Sequence, residues 1–323
     1  MPHAIRIHEH GGPEVLRWES IEIGEPGRDE ARVRHTAVGL NFIDVYERTG
    51  LYKSPLPLIP GREAAGVVES VGEAVRHVRV GDRVAYTLQV AGAYSDVRVM
   101  PAERLIRIPD SIDDRQAAAM MLKGLTAQVL LRQVYRVRKT DVLLIHAAAG
   151  GVGSILVQWA KHIGATVIAI VGSDEKAALV RELRADHVLL SHDDWTAQVK
   201  SLTRARGVHV VYDSVGQDTF IRSLDSLRPR GMMVTFGNAS GPAPPIAPLE
   251  LSKRGSLYLT RPTLFHYIPT RAALVRAAQE LFDLATRAVI TVRIGQTYSL
   301  QDAARAHRDL EARKTTGSTV LTP

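Results

Sequence analysis

The sequence predicts an α/β protein, a doubly wound parallel sheet joined to a mainly β domain, on three observations. A complete βαβ unit runs from Val142 to Lys176. Strand-like and helix-like stretches keep alternating after it, to the six strands that a doubly wound sheet needs. Before it, from Met1 to about Lys123, the chain reads mainly as strands and turns.

The βαβ unit carries the chemistry. Val142–His146 is a short branched apolar run, as expected of a strand covered on both faces. From Ala147 to Gly153 every residue but Val152 is alanine or glycine, so the backbone can turn tightly and approach another molecule closely. The helix expected over Gly151–Ile163 starts with unpaired N–H groups and the positive end of its dipole, which suits a pyrophosphate. Gly150 and Gly153 fit the last two glycines of the dinucleotide fingerprint GxGxxG, and Ala148 replaces the first. A glycine-rich turn alone serves close strand–helix packing equally well. Its place between two strands and a helix is what favours a nicotinamide dinucleotide in a Rossmann-type fold.

The second strand, Thr166–Val171, ends in Gly172 and Ser173, where an NAD-binding chain commonly has Asp or Glu for the ribose hydroxyls. Ser173 can donate to a 2′-phosphate and Lys176 can supply charge, so the expected cofactor is NADPH. The plain alternative for Lys176 is a solvated lysine on the next helix, beside Asp174 and Glu175.

With 323 residues, 45% hydrophobic and 23% charged, the chain is long enough for two domains with separate cores. No stretch reaches the length of a membrane span, and MPHAIRIHEHGG lacks a signal-peptide core, so a cytoplasmic protein is expected. Zero cysteines exclude disulfides and thiolate metal sites. The net charge of +7 comes from scattered basic residues without a basic tail, and only 5% of residues are aromatic. That pattern favours an anionic cofactor site over a nucleic-acid surface.

Residues 1–23 suggest a hairpin around Gly11-Gly12-Pro13, and Ala31–Val38 alternates as a strand. Asn41, Asp44 and Tyr46 then cluster where the alternation breaks into a helical turn. The cluster reads as a site or, equally, as a capped turn with a packed tyrosine. Gly61, Gly66, Gly72 and Gly81 punctuate short strands suited to a small barrel or sandwich. From Ser111 the pattern turns helical, with Gly124 expected to separate two helices. Strands are expected at His187–Leu190, Val208–Tyr212, Met232–Phe236 and Ser256–Leu259, with a helix over Trp195–Arg206. The loops Asp213–Gly216 and Phe236–Gly241 follow strands and should project to the cofactor edge, where Asn238 suits a carboxamide. Arg271–Thr286 and Asp302–Glu311 read as helices. Ser318–Leu321 reads as a last strand that rejoins the first domain.

With GLNFIDVYERTGLY, EAAGVVESVG, GDRVAY, KGLTA, HAAAGGVG, VVYDSVG, FGNASG and TTGSTVL in view, the chain resembles the zeta-crystallin-like NADPH:quinone oxidoreductases, a zinc-free branch of the medium-chain dehydrogenase/reductase superfamily. The resemblance implies a GroES-like catalytic domain in two pieces, 1–124 and 263–323, around a Rossmann domain over 125–262, with a cleft between them and usually a homodimer. Where the zinc-dependent branch has a ligand cysteine this chain has Asn41, and where that branch has the histidine of GHE it has Arg62. No metal is therefore expected. Carried over, the resemblance places Asn41 and Tyr46 as catalytic residues and Phe42 beside them at the cofactor. Gly150, Gly151, Val152 and Gly153 would hold the pyrophosphate, with Gly172, Ser173 and Lys176 at the 2′-phosphate. Gly216, Phe236, Gly237 and Asn238 would hold the nicotinamide, and Thr315, Gly317 and Ser318 would close over the cofactor. Relatives often place a tyrosine on the phosphate after the third strand, where this chain has Ser191 and His192.

The expected activity is NADPH-dependent reduction of a quinone, by placement rather than Lewis-acid catalysis. Tyr46 would orient the carbonyl or donate a proton, or simply pack against the nicotinamide. The alternatives are reduction of an activated C=C bond and a non-catalytic RNA- or partner-binding role, against which the intact glycine turn argues.

Overall fold

The computed structural model describes residues 1–323, which divide into two compact units. The first comprises Met1–Leu125, Ile268–Ala288 and Val292–Pro323, and the second Thr126–Tyr267 with Val289–Thr291.

The first unit opens with β1 (His3–Arg6) and β2 (Arg17–Ser20), paired antiparallel as the hairpin-like start requires. It continues with β3 (Glu30–Leu40), α1 (Phe42–Arg48), β4 (Glu63–Val71), β5 (Arg83–Thr87), β6 (Val97–Pro101) and β7 (Ile106–Arg107). α2 (Asp114–Val129) crosses the boundary into the second unit.

The second unit then alternates: β8 (Val142–Ile145), α3 (Gly151–Ile163), β9 (Thr166–Val171), α4 (Asp174–Glu182), β10 (His187–Leu190), α5 (Trp195–Leu202), β11 (Val208–Asp213) and α6 (Phe220–Asp225). β12 (Leu227–Thr235), α7 (Pro248–Lys253), β13 (Tyr258–Thr260) and α8 (Leu264–Tyr267) complete it. The chain returns to the first unit through α9 (Arg271–Thr286), β14 (Ile294–Ser299), α10 (Ala303–Glu311) and β15 (Ser318–Thr322).

In the second unit six parallel strands lie in the order β10-β9-β8-β11-β12-β13, the doubly wound arrangement. Its central strands are largely apolar, and Leu144, Ile168, Ile170 and Val211 pack with Trp195, Phe220 and Leu224. In the first unit the sheet runs β14-β15-β3-β4-β5-β7, with β6 also on β3. The last strand pairs antiparallel with β3, Leu321 opposite Val38, so the C-terminus does rejoin the first unit. Ile5, Val33, Tyr86, Tyr94, Met100 and Leu321 lie in its core.

Two expectations are corrected. Gly124 does not separate helices: α2 runs through it to Val129 and ends in a π-helical turn, Leu130–Val134. A Cβ at Gly124 would lie 2.6 Å from Leu281 side-chain carbons on α9, so the glycine permits close helix packing and tertiary contact overrides its weak helix propensity. The helix expected to reach Arg206 stops at Leu202, where Arg204 and Ala205 take left-handed φ values of 51° and 60°.

Candidate functional site

At the end of β8 the chain turns through Ala147, at a φ of 48°, and the Gly150 N–H donates back to the Ala147 carbonyl at 2.9 Å. Gly150 caps α3 in an extended conformation. A Cβ on Gly153 would sit 2.3 Å from the Ala147 oxygen and 2.8 Å from the Ala148 Cα, so only glycine lets the helix start this close to the turn. Gly151, Val152 and Gly153 form the first turn of α3, which holds no acidic residue. Its N–H groups and dipole present a cradle for an anion.

The second group lies at the neighbouring strand ends, since β9 pairs parallel with β10 and Val171 is opposite Leu190. Gly172 is exposed, and the nearest atom to a Cβ there is the Ser191 hydroxyl at 3.9 Å. Ser173 caps α4 by accepting the Lys176 N–H at 3.3 Å. That contact uses a lone pair of the hydroxyl oxygen and leaves its proton to donate. Gly172, Ser173, Lys176 and Ser191 thus come together on the edge where β8 also ends.

On the same edge the loops after β11 and β12 are joined backbone to backbone. Phe236 N–H donates to the Asp213 carbonyl (2.8 Å), Ser240 N–H to Val215 (2.8 Å), and Gln217 N–H to Gly241 (3.0 Å). Gly216 has a φ of 95°, and a Cβ on it would lie 2.3 Å from the Gly241 oxygen. A Cβ on Gly237 would lie 2.4 Å from the Ser214 oxygen. Phe236 is half-buried and Asn238 buried. Arg261, which sequence reasoning missed, donates to the Thr235 hydroxyl (3.1 Å) and the Gly237 carbonyl (3.3 Å).

In the first unit, Asn41 is the N-cap of α1, and the Asp44 carboxylate accepts its backbone N–H at 2.9 Å. The capped-turn reading of this cluster is therefore real. The Asn41 amide donates to Glu63 Oε1 at 2.8 Å and is fixed by it. Glu63 is fully buried and accepts from the Lys123 ammonium and the Leu122 N–H besides. Tyr46 is 7% exposed and packs between Phe42, at 6.1 Å between ring centroids, and Tyr52, edge-on at 5.2 Å. Behind it Asp44 accepts the Tyr94 O–H, and burial together with the charge of Glu47 pushes its carboxyl up to about 7.

Arg62 pairs with the buried Glu47 and donates to the Gln89 carbonyl. No group of three or more His, Cys, Asp or Glu side chains is placed to hold a metal ion. At the C-terminal end Thr315 is half-buried and Gly317 has a φ of 60°, with the Arg293 oxygen 2.3 Å from where a Cβ would lie. The Ser318 hydroxyl donates to the Ala119 carbonyl of α2 at 3.0 Å. No helix is long and apolar enough to cross a membrane.

Two family models match the chain: an alcohol dehydrogenase GroES-like domain over residues 27–110 and a zinc-binding dehydrogenase over residues 151–283. The chain contains no cysteine. A quinone oxidoreductase of Pseudomonas aeruginosa is 51% identical over the whole of both chains. A 2-haloacrylate reductase of a Burkholderia species is 46% identical over all of this chain and 99% of its own. The solved structure of an Escherichia coli quinone oxidoreductase complexed with NADPH is 46% identical and superposes with a TM-score of 0.97, covering 99% of this chain and all of that one.

Proposed function

Because the chain belongs to the zinc-free quinone oxidoreductase branch of the medium-chain dehydrogenase/reductase superfamily, we propose that it reduces quinones with NADPH. The observation that carries this reading is the cradle at Gly150–Gly153, closed by a Gly153 whose contact with the Ala147 carbonyl admits no Cβ, in a chain 51% identical end to end to a quinone oxidoreductase. Gly150, Gly151, Val152 and Gly153 would bind the pyrophosphate, Ser173, Lys176 and Ser191 the 2′-phosphate, and Gly216, Gly237 and Asn238 the carboxamide. Bound NADPH supplies a hydride, and with one proton from solvent or a hydroxyl this takes a quinone to the hydroquinone.

The residues of the chain then supply placement. Holding two reactants in contact and excluding water lowers a barrier by ~7–11 kcal/mol without an acid or metal. Asn41, its amide locked by Glu63, would present a fixed hydrogen-bonding group to the acceptor, and Tyr46 a largely buried aromatic wall with Phe42 and Tyr52. Thr315, Gly317 and Ser318 would border the cofactor.

The 46% identity to a 2-haloacrylate reductase favours a second reading, reduction of an activated C=C bond. It needs the same hydride donor and a proton donor for the α carbon. Following NADPH oxidation against a panel of quinones and enones separates the two readings, and no turnover of either class would defeat both.

We also propose a homodimer that forms in the cytoplasm. β13 is an edge strand carrying Tyr258, 59% exposed, and Leu249 nearby in sequence is 62% exposed. The open edge of β13, with its exposed tyrosine, is a place where a strand of a second copy could pair. Light scattering on wild type and Tyr258→Asp checks it, with a dimer that dissociates in the variant as the expected result.

A further inference from the structure

Asp213 ends β11, between β8 and β12 in the parallel sheet, and is fully buried. Its two oxygens take four hydrogen bonds. Oδ1 accepts the backbone N–H groups of Val215 (2.8 Å) and Gly216 (3.1 Å), and Oδ2 accepts the hydroxyls of Thr219 (2.7 Å) and Ser223 (3.2 Å). The directions follow from the proton inventory. Ser223 has one hydroxyl proton and gives it to Asp213, so His146 donates its Nε2–H to Ser223 at 2.9 Å. His146 Nδ1 is then unprotonated, and it is a buried atom without a hydrogen-bond partner. Burial holds the imidazole below its usual pKa and so keeps it neutral.

These bonds shape a turn rather than a core. Oδ1 ties down the two N–H groups of Val215-Gly216, and Gly216 then takes its left-handed φ against the Gly241 carbonyl. The carbonyls of Asp213, Ser214 and Val215 in turn accept from Phe236, Ala239 and Ser240, so the loop after β12 is cast against the turn that Asp213 makes. One buried carboxylate thereby sets both loops.

We propose that Asp213 is the positioning residue for the nicotinamide end of the cofactor cradle, which it organises without touching the cofactor. The inference rests on the reading that Gly216, Gly237 and Asn238 take the nicotinamide. A neutral amide at this position replaces one acceptor oxygen with a donor facing donors, so the turn reopens while the adenine end, built on β8, β9 and α3, stays as it is.

The test uses the full-length protein and two probes: NADPH, and adenosine 2′,5′-bisphosphate, which has the adenine, ribose and 2′-phosphate but no nicotinamide. Asp213→Asn should bind NADPH roughly ten-fold more weakly and the bisphosphate within about two-fold of wild type, with kcat reduced as well. Thr219→Val, which removes one of the four donors, should shift the same ratio in the same direction by less, and it decides the matter alone if Asp213→Asn does not fold. Equal losses for the two ligands, or an unchanged NADPH affinity in the folded variant, overturn the positioning role. Wild-type protein that binds neither ligand defeats the cofactor reading itself, and the inference with it.

Discussion

The Lys123 ammonium and the Glu63 carboxylate form a buried ion pair, with side chains 6% and 0% exposed. Glu63 also accepts from the Asn41 amide and the Leu122 N–H, so both oxygens are engaged, and Gly39 makes room for them. A buried charge pair gains little over an apolar pair of the same shape, but half of one is costly. Lys123→Met should therefore destabilise the protein by about 3–5 kcal/mol, and Glu63→Gln with Lys123→Met should recover much of the loss. Urea unfolding of the three proteins measures it. A single-variant cost below about 1 kcal/mol would mean that water reaches the pair.

Asp44 makes stability depend on pH in an unusual sense. Its folded pKa, about 7, lies above the ordinary 3.8, so the native state holds a proton the unfolded chain has released between those values. The stability this proton confers is present below about pH 4 and lost as pH rises through 7. Asp44→Asn keeps an oxygen for Asn41 and Tyr94 but cannot ionise. Its melting temperature should gain on that of wild type from pH 4 to pH 7 and stay ahead above it. Parallel curves would show that Asp44 does not titrate there.

His307 and His35 act with the opposite sign. Burial pushes them down to about 3 and about 4 from 6.5, so the unfolded chain takes up protons first as pH falls. The stability tied to their neutral forms is complete above 6.5 and lost as pH falls through those folded values. His307 must accept from Arg48 at Nδ1 and donate to Tyr94 from Nε2, which fixes one neutral tautomer. Nitrogen NMR at pH 5 should find that tautomer; an imidazolium signal would contradict the network.

Arg62 and Glu47 bear on metal content. Arg62, which the family resemblance sets at the histidine position of the zinc-dependent branch, is a guanidinium paired with a buried carboxylate, and the same resemblance sets Asn41 at that branch's cysteine position. Purified protein should hold far less than stoichiometric zinc, keep its quinone activity through chelation, and oxidise simple alcohols much more slowly than it reduces benzoquinone. Zinc lost together with activity would reverse this.

What was legible in the sequence was local. The run Ala147–Gly153 between two branched apolar stretches announces the βαβ unit because turn, helix start and strand are encoded within a few neighbouring residues. Gly124 misleads because its reason, Leu281, lies far along the chain. The same distance hides Glu63 behind Asn41 and Lys123, and His307 behind Tyr94 and Asp44, since no periodicity relates residues from separate elements. Ser173 was legible as a hydroxyl in the right place but not as the cap of α4, and Asp213 read only as part of a strand-end loop.

Lys176 gives the last prediction, a preference for NADPH over NADH. Gly172 leaves room for a Cβ at the end of β9, and Ser173, which can donate a hydroxyl proton, stands where an NAD-binding chain commonly has a carboxylate. Lys176 is the third residue of α4, and its backbone N–H donates to the capping Ser173 hydroxyl. A charge-assisted contact to a partly exposed phosphate is worth ~1.5–3 kcal/mol, roughly ten- to a hundredfold in affinity. The α4 cap takes the Lys176 backbone N–H, which Lys176→Ala retains. Titration should then show NADPH binding weakened by about that factor and NADH nearly unchanged, and raised salt should erode the wild-type preference. Equal losses for the two cofactors would assign Lys176 to the fold alone, and a wild-type preference for NADH would overturn the cofactor assignment.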